Sequence, residues 1–435
     1  MTEFEKEKSI KEDKERVLLV GVDNGAMGED FERSMDELKS LAKACFMEPV
    51  GVMTQKMESV NKGLYVGTGK VQEIKETARI LEVDVIIFDD ALSPSQLRNL
   101  QQELQKPILD RTTLILDIFE RRARTREAKL QVESAKLKYL LPRLVGMHEA
   151  LTRQGGASGS MSSRGAGEKK LELDRRRIEK RIGELSKELE EVSRERRVQR
   201  KKRVDARIPL VALVGYTNAG KSTILNAMID ACSGDVDKKV LEKDMLFATL
   251  DTTVRRICTG NHKDFLLSDT VGFIHKLPHG LVKAFHSTLE EVECADLLIH
   301  VVDYSDPHYK EHMQTTAQTL FELNAGNIPV ITVFNKVDRC DAPVAFPQMM
   351  GKDKVYMSAK DKDSIAFLVS AVLARVYADY VWEEFLIPYD KGNVLSYLME
   401  NTHTDSWKYE EKGTRIKVKC HKADREKYRE YRVMS

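Results

Sequence analysis

Several common sources of function are missing from this chain. Its six cysteines (Cys45, Cys232, Cys258, Cys294, Cys340 and Cys420) are scattered, with no CxxC pair among them. That spacing argues against a zinc ribbon or a disulfide framework and fits free thiols in a reducing cytosol. None of the ten histidines falls in an HExxH string. No run of 18 apolar residues occurs, so no segment reads as a membrane span. The opening stretch, MTEFEKEKSIKEDKER, has no apolar centre and reads as a charged, frayed tail over residues 1–16 rather than a signal peptide. There is no internal repeat. Net charge is nearly absent too, since 70 Lys and Arg stand against 69 Asp and Glu, although this average hides local asymmetry.

What is present is a charged globular chain of 435 residues, 42% hydrophobic and 32% charged. That length suggests about two to four domains with ample core. Residues 17–117 alternate strand-like and helical stretches. VLLVGV (17–22), PVGVMTQ (49–55) and VDVIIFD (83–89) read as strands, and 31–44 and 69–82 have helical spacing. Ser93-Pro94 marks a helix start, with serine at the N-cap and proline at the first helical position. PILDRTTLILDIF (107–119) closes the unit, which reads as a small parallel α/β domain. Residues 118–206 are highly charged, with Ile178, Ile182, Leu185, Leu189 and Val192 spaced like a heptad stripe. The simplest reading is a long antiparallel helical hairpin joined by a glycine-rich loop over 154–167, QGGASGSMSSRGAG. A second α/β domain over 207–382 has its last helix ending near Trp382, and a small C-terminal α/β domain over 383–435 follows.

The strongest chemical signal is PLVALVGYTNAGKST (209–223), a strand run ending in Gly215-x4-Gly220-Lys221-Ser222 and opening a helix. This is the P-loop pattern. Backbone N–H groups of Gly215, Tyr216, Thr217, Asn218, Ala219, Gly220 and Thr223 would cradle phosphate oxygens. Lys221 would pair with the β- and γ-phosphates, and the Ser222 hydroxyl would bind Mg2+. Further on, Asn335-Lys336-Val337-Asp338 closes a strand run. A carboxylate at Asp338 can accept two hydrogen bonds from guanine that adenine cannot offer, with Lys336 over the base. Ser358, Ala359 and Lys360 supply a loop whose N–H meets the guanine oxygen. Between the two lies Asp269-Thr270-Val271-Gly272, in which Asp269 would hold Mg2+ through water and the Gly272 N–H would meet the γ-phosphate. LFATLDTT (246–253) supplies a first-switch threonine; Thr249 is favoured as the Mg2+ and γ-phosphate ligand, with Thr252 and Thr253 as competitors. Lys221, Thr249 and Gly272 are therefore the candidate catalytic residues. GTP and GDP are the implied ligands, with a K+ ion beside Asn218 as a candidate second cation. Where Ras-type switches place a water-orienting glutamine after the DxxG glycine, this chain has Phe273, which has no hydrogen-bonding group.

These residues, together with GKVQEI (69–74), LSPSQLRNL (92–100), LDRTTLILDIFERRARTREAKLQVE (109–133), LKYLLPRL (137–144) and RGAGEKKLELDRRRI (164–178), resemble the HflX family of ribosome-associated GTPases from about residue 15 to at least 375. The resemblance implies an N-terminal α/β domain, a helical subdomain, a P-loop GTPase domain and a small C-terminal domain. It implies binding to the large ribosomal subunit and its rRNA, GTP hydrolysis stimulated by ribosomes, and splitting or rescue of stalled ribosomes under stress. A hydrophobic residue after DxxG is usual in that family. Three loop departures stand out: LDTT lacks the family's proline after the aspartate, Ala166 stands where proline is common, and the stretch after GGASG is unusually serine-rich. An N-terminal nucleotide site has also been attributed to the family; the only candidate string, YVGTGK (65–70), lacks P-loop spacing and reads as a turn.

Local charge supports an RNA partner. Residues 174–207 hold 14 Lys and Arg against 8 Asp and Glu, beside Arg153 and Arg164, the candidate RNA-binding residues of the loop. No DNA partner and no membrane insertion are expected, and the free protein is expected to be monomeric and cytoplasmic, with peripheral membrane association as a variant. Three other functions stay open: a GTPase acting in large-subunit assembly, an ATP-driven RNA-remodelling enzyme using the N-terminal domain, and a nucleotide-gated binding module.

Overall fold

The computed structural model describes residues 14–25, 29–154, 161–205, 208–232, 246–247, 253–259, 263–276, 278, 286–340 and 345–433. The chain divides into two compact units. One comprises Met1–Ser193 with Lys243–Asp251 and Ile274–Ser287, the other Arg194–Glu242, Thr252–Phe273 and Thr288–Ser435.

The first unit opens with strand β1 (Arg16–Asp23), helix α1 (Glu29–Ala44), β2 (Glu48–Lys56), α2 (Thr68–Ile80), β3 (Val85–Phe88), α3 (Pro94–Leu104), β4 (Ile108–Asp110) and α4 (Arg111–Arg122). The strands form a wholly parallel sheet in the order β2-β1-β3-β4. Burial on both faces explains why VLLV and VIIF are unbroken apolar runs rather than alternating ones. Ser93 caps α3 in a full capping box with Gln96, and Pro94 follows at the first turn, as the sequence suggests. The stretch 107–119 resolves into a three-residue strand and a helix that runs to Arg122, past the expected boundary at 117. The break comes at Asp110, whose carboxylate accepts from the Thr113 N–H at 2.8 Å and so caps α4.

At the carboxyl edge of this sheet lies a buried ion cluster. Arg111 reaches Asp89 at 2.8 Å and Glu37 at 2.8 Å. Lys276 is 2.6 Å from Asp89 and 2.7 Å from Asp90, and Arg111 donates to the His275 carbonyl at 3.1 Å. Phe247 packs edge-to-face on Phe119, with centroids 4.7 Å apart. Short segments far along the chain therefore pack into this unit.

Helices α5 (Arg126–Gln154) and α6 (Met161–Asp205) run antiparallel. Arg181 pairs with Glu133 at 2.7 Å and Arg126 with Glu188 at 3.2 Å. Leu185 is fully buried, and the rest of its heptad stripe is partly buried. The expected glycine-rich loop over 154–167 needs correction, because α6 already begins at Met161. Once a helix is nucleated, each added residue gains a backbone hydrogen bond, so Gly165 and Gly167 cost only about 1 kcal/mol each within it. Residues 155–160 lie outside the described residues.

The second unit carries β5 (Leu210–Gly215), α7 (Lys221–Cys232), β6 (Thr253–Ile257), β7 (Phe265–Asp269), α8 (His286–Glu293), β8 (Leu297–Asp303), α9 (Tyr309–Glu322), β9 (Val330–Asn335), β10 (Gln348–Met350), β11 (Lys354–Tyr356) and α10 (Lys362–Val376). Its sheet runs β10-β11-β9-β8-β5-β7-β6, parallel except at the two edge strands. The chain leaves β5 toward β7 on one side and returns to β8 on the other. That reversal makes the carboxyl end of β5 the place where such sheets bind ligands. The last helix of this domain ends at Val376, not near Trp382, which lies within strand β12 (Tyr380–Ile387). The alternation of Phe385 and Ile387 with more exposed neighbours gives that stretch a strand's period of two. Strands β12, β13 (His403–Glu410) and β14 (Gly413–His421) form an antiparallel sheet, with α11 (Gly392–Asn401) and α12 (Lys422–Lys427) completing a small α/β core.

Candidate functional site

Four strands of the second unit end in polar or glycine residues at one edge: Gly215, Asp269, Asp303 and Asn335. The loop after β5 is built around backbone that few residues tolerate. Gly215 has φ 144° and Gly220 φ 100°, and a Cβ at either would collide with the Val301 carbonyl or the Asn335 amide. Asn218 takes the left-handed conformation at φ 60°, which asparagine tolerates better than most. The result is a loop wrapped over the start of α7, whose first turn carries no acidic residue to oppose an anion.

Lys221 is buried and donates to the carbonyls of Gly215 at 3.0 Å and Tyr216 at 2.8 Å. Burial pushes its ammonium down to about 8, opposed by the Asp269 charge. His300 lies buried on β8, and burial together with the Lys221 charge holds it down at about 4, so it is neutral near pH 7. Ser222 donates to Asp269 Oδ2 at 2.8 Å, placing two hard oxygen donors side by side. Tyr216 is stacked on His312 with centroids 3.9 Å apart.

The DxxG segment lies directly on this loop. Phe273 forms a short parallel bridge with Tyr216, accepting from the Thr217 N–H at 2.8 Å and donating to the Gly215 carbonyl at 3.2 Å. A Cβ on Gly272 would lie 2.8 Å from Thr217 Cα and 3.0 Å from Lys221 Nζ, so only glycine fits there. The Phe273 side chain is 2% exposed. It is a packing residue, held by main-chain bonds that any side chain would permit.

The NKVD segment is tied to the same loop. Asn335, buried, donates to the Ala219 carbonyl at 2.9 Å and accepts from the Ala359 N–H at 2.9 Å. One side chain thus joins the phosphate loop to the Ser358-Ala359-Lys360 loop. Lys336, at φ 63°, donates to the Asn218 carbonyl at 2.8 Å and pairs with Asp303 at 2.7 Å. Asp338 stands exposed beyond the strand end, and Lys360 is exposed. Asp303 was not visible as a functional residue in the sequence. Its other carboxylate oxygen accepts from the Ser305 N–H at 3.1 Å and hydroxyl at 2.6 Å, which fixes it toward Lys336. An aspartate closing the apolar run LLIHVVD is the signal that could have found it.

The sequence-expected residues from Gly215 to Thr223, together with Asp269, Gly272, Asn335, Lys336, Ser358 and Ala359, are thus brought to one edge. Thr249 and Thr252 lie outside the described residues, whereas Thr253 opens β6 opposite Asp269. Arg153 lies in α5 and Arg164 in α6, both within helices rather than a loop.

Family models match three consecutive stretches: "GTP-binding GTPase N-terminal" over 32–120, "GTP-binding GTPase Middle Region" over 122–203 and "50S ribosome-binding GTPase" over 210–336. The GTPase HflX of Caldanaerobacter subterraneus is 43% identical over 93% of this chain and 91% of its own length. That of Escherichia coli K12 is 39% identical over 83% of each chain. Among solved structures, a GTP-binding protein from Sulfolobus solfataricus in complex with GDP aligns over 83% of this chain and 99% of its own, with 23% identity and a TM-score of 0.43. With this phosphate loop and this identity across nearly its whole length, the chain belongs to the HflX family of GTPases and hydrolyses GTP.

Proposed function

We propose that this GTPase binds the large ribosomal subunit in its GTP state and splits or rescues stalled ribosomes, with hydrolysis stimulated by the ribosome. The observation that carries this reading is Phe273, buried and bridged by its backbone to the phosphate loop in the place of a water-orienting side chain. A GTPase without that group positions the phosphates electrostatically and turns over slowly until a partner completes the site. The family model over 210–336 names a 50S ribosome-binding GTPase, which supports the choice of partner.

In this reading Asp338 accepts two hydrogen bonds from guanine and Lys336 covers the base. Ser358, Ala359 and Lys360 frame its oxygen, and the residues from Gly215 to Thr223 hold the phosphates. The oxygen donors of Ser222 and Asp269, 2.8 Å apart, fit Mg2+, with Thr249 as the expected third contributor. When bound, Mg2+ neutralises charge on the β- and γ-phosphates. K+ beside Asn218 would add a second cation. Arg153, Arg164 and the basic end of α6 would meet rRNA phosphates. The domains would be 17–117 and 118–206, with α4 extending the first to Arg122, then a GTPase domain ending at Val376 and a C-terminal domain from Tyr380.

Sucrose-gradient profiles of ribosomes incubated with the protein and GTP test the choice between splitting and assembly. Splitting should convert whole ribosomes into free subunits. Intact ribosomes, with immature large-subunit particles accumulating in cells that lack the protein, would instead indicate an assembly factor.

A further inference from the structure

The missing glutamine leaves the question of what this chain itself places beside the reacting phosphate. Thr217 is the third residue of the phosphate loop. It is only 6% exposed, and its hydroxyl has no hydrogen-bond partner among the described residues. A buried hydroxyl without a partner is unfavourable. Such groups persist where a ligand supplies the missing bond. The position of Thr217 suggests which ligand does so. A Cβ built on Gly272 would lie 2.8 Å from both Thr217 Cα and Thr217 Cγ2, and 3.0 Å from Lys221 Nζ. The DxxG glycine, the phosphate-binding lysine and the threonine side chain therefore share one small region. The backbone of Thr217 is fixed there by its 2.8 Å bond to the Phe273 carbonyl. Its Oγ1 shares Cβ with Cγ2, so a roughly 120° rotation about χ1 can carry the hydroxyl into the position the methyl now holds.

We propose that the Thr217 hydroxyl contacts the γ-phosphate side of bound GTP and orients the attacking water, the task the side chain of Phe273 cannot perform. In the reaction the water oxygen bonds to the γ-phosphorus as the bond to the β–γ bridging oxygen breaks. The water proton passes to a γ-phosphate oxygen, leaving GDP and inorganic phosphate. Thr217 forms and breaks no covalent bond. It accepts a hydrogen bond from the water, or donates one to a γ-phosphate oxygen, and narrows the angles of attack. Turned toward Gly272 and Lys221, the hydroxyl would lie beside the third phosphate, so it contributes to GTP turnover and little to GDP binding. The inference rests on the nucleotide site proposed above.

The test uses the full-length protein with purified large ribosomal subunits and compares Thr217→Val, which keeps the shape and removes the hydroxyl, with Thr217→Ser, which keeps the hydroxyl. Single-turnover GTP hydrolysis and GDP affinity are measured for each. Thr217→Val should hydrolyse GTP more slowly by a factor on the order of 10², with GDP affinity within about twofold of the unmodified protein. Thr217→Ser should recover most of the lost rate. Hydrolysis by Thr217→Val at the unmodified rate would overturn the proposal. So would equal losses in both variants, or a fall in GDP affinity parallel to the rate, because each marks Thr217 as packing. Lys221→Ala is the control for the site: if it still binds GDP normally, the nucleotide site itself is misplaced and the proposal falls with it.

Discussion

Asp338 stands exposed at the end of β9, next to a lysine fixed by two partners and one turn past an asparagine that joins two loops. Its exposure fits a group that meets a ligand rather than the protein core. In the proposed base site, Asp338→Asn would exchange an acceptor for a donor opposite the guanine N–H groups. GTP affinity should fall by about 2–4 kcal/mol and xanthine nucleotide should be gained, as read by titration calorimetry with both. Unchanged GTP affinity would remove Asp338 from the base site. At this scale much of the site was legible in the sequence. Gly215, Lys221, Ser222, Asp269 and Asn335 occur in short strings, and the structure gathers them at one edge of the sheet. Asp303 and the Thr217 hydroxyl were not legible in these roles. The partner of Asp303 lies on another strand, and the hydroxyl's significance rests on a partner the chain does not provide.

Among the elements, the helical hairpin shows where periodicity succeeds and where composition misleads. The stripe through Leu185 correctly gave the packing face of α6, because burial on a helix must recur every three to four residues. The glycine and serine content of 161–167 suggested loop, yet α6 extends through it, since composition registers propensity but not the gain from extending an existing helix. The 2.7 Å pair of Arg181 with Glu133 is some 40% exposed and screened by solvent, so the hairpin rests on its apolar seam. If the tip between the arms reaches into the ribosome, replacing 155–166 with a short neutral linker should leave GTP binding by the free protein intact. Subunit binding should weaken and splitting should be lost. Splitting at the unmodified rate, followed by light scattering, would make the tip a simple connector.

In the molecule as a whole, the two α/β sheets were legible from alternating strand and helix patterns, but the ion cluster of the first unit was not. Arg111, Asp89, Glu37 and Lys276 are distant in sequence, and nothing local marks them as partners. Asp89 is 1% exposed. Burial alone would raise its carboxyl, but Arg111 and then Lys276 reverse that and hold it at about 2, below its ordinary value of 3.8. A folded-state value below the unfolded one means that the unfolded chain binds more protons between the two. This share of stability is therefore full above pH 3.8 and is lost as pH falls toward 2, at up to about 1.4 kcal/mol per pH unit. Asp89→Asn should flatten that acid slope in denaturant titrations. It should also cost about 3–5 kcal/mol at neutral pH, because Arg111 keeps its charge in a buried site. An unaltered acid slope would show that Asp89 is not the group that titrates.

The central claim is that the free protein, with Phe273 where a water-orienting glutamine would stand, turns GTP over slowly and that the large subunit supplies the missing condition. GTP turnover by the full-length protein, measured alone and with purified large ribosomal subunits at equal Mg2+ and salt, tests it most directly. Turnover should be slow alone and rise by orders of magnitude with subunits. Fast hydrolysis by the isolated protein, or a rate indifferent to the subunits, would contradict it.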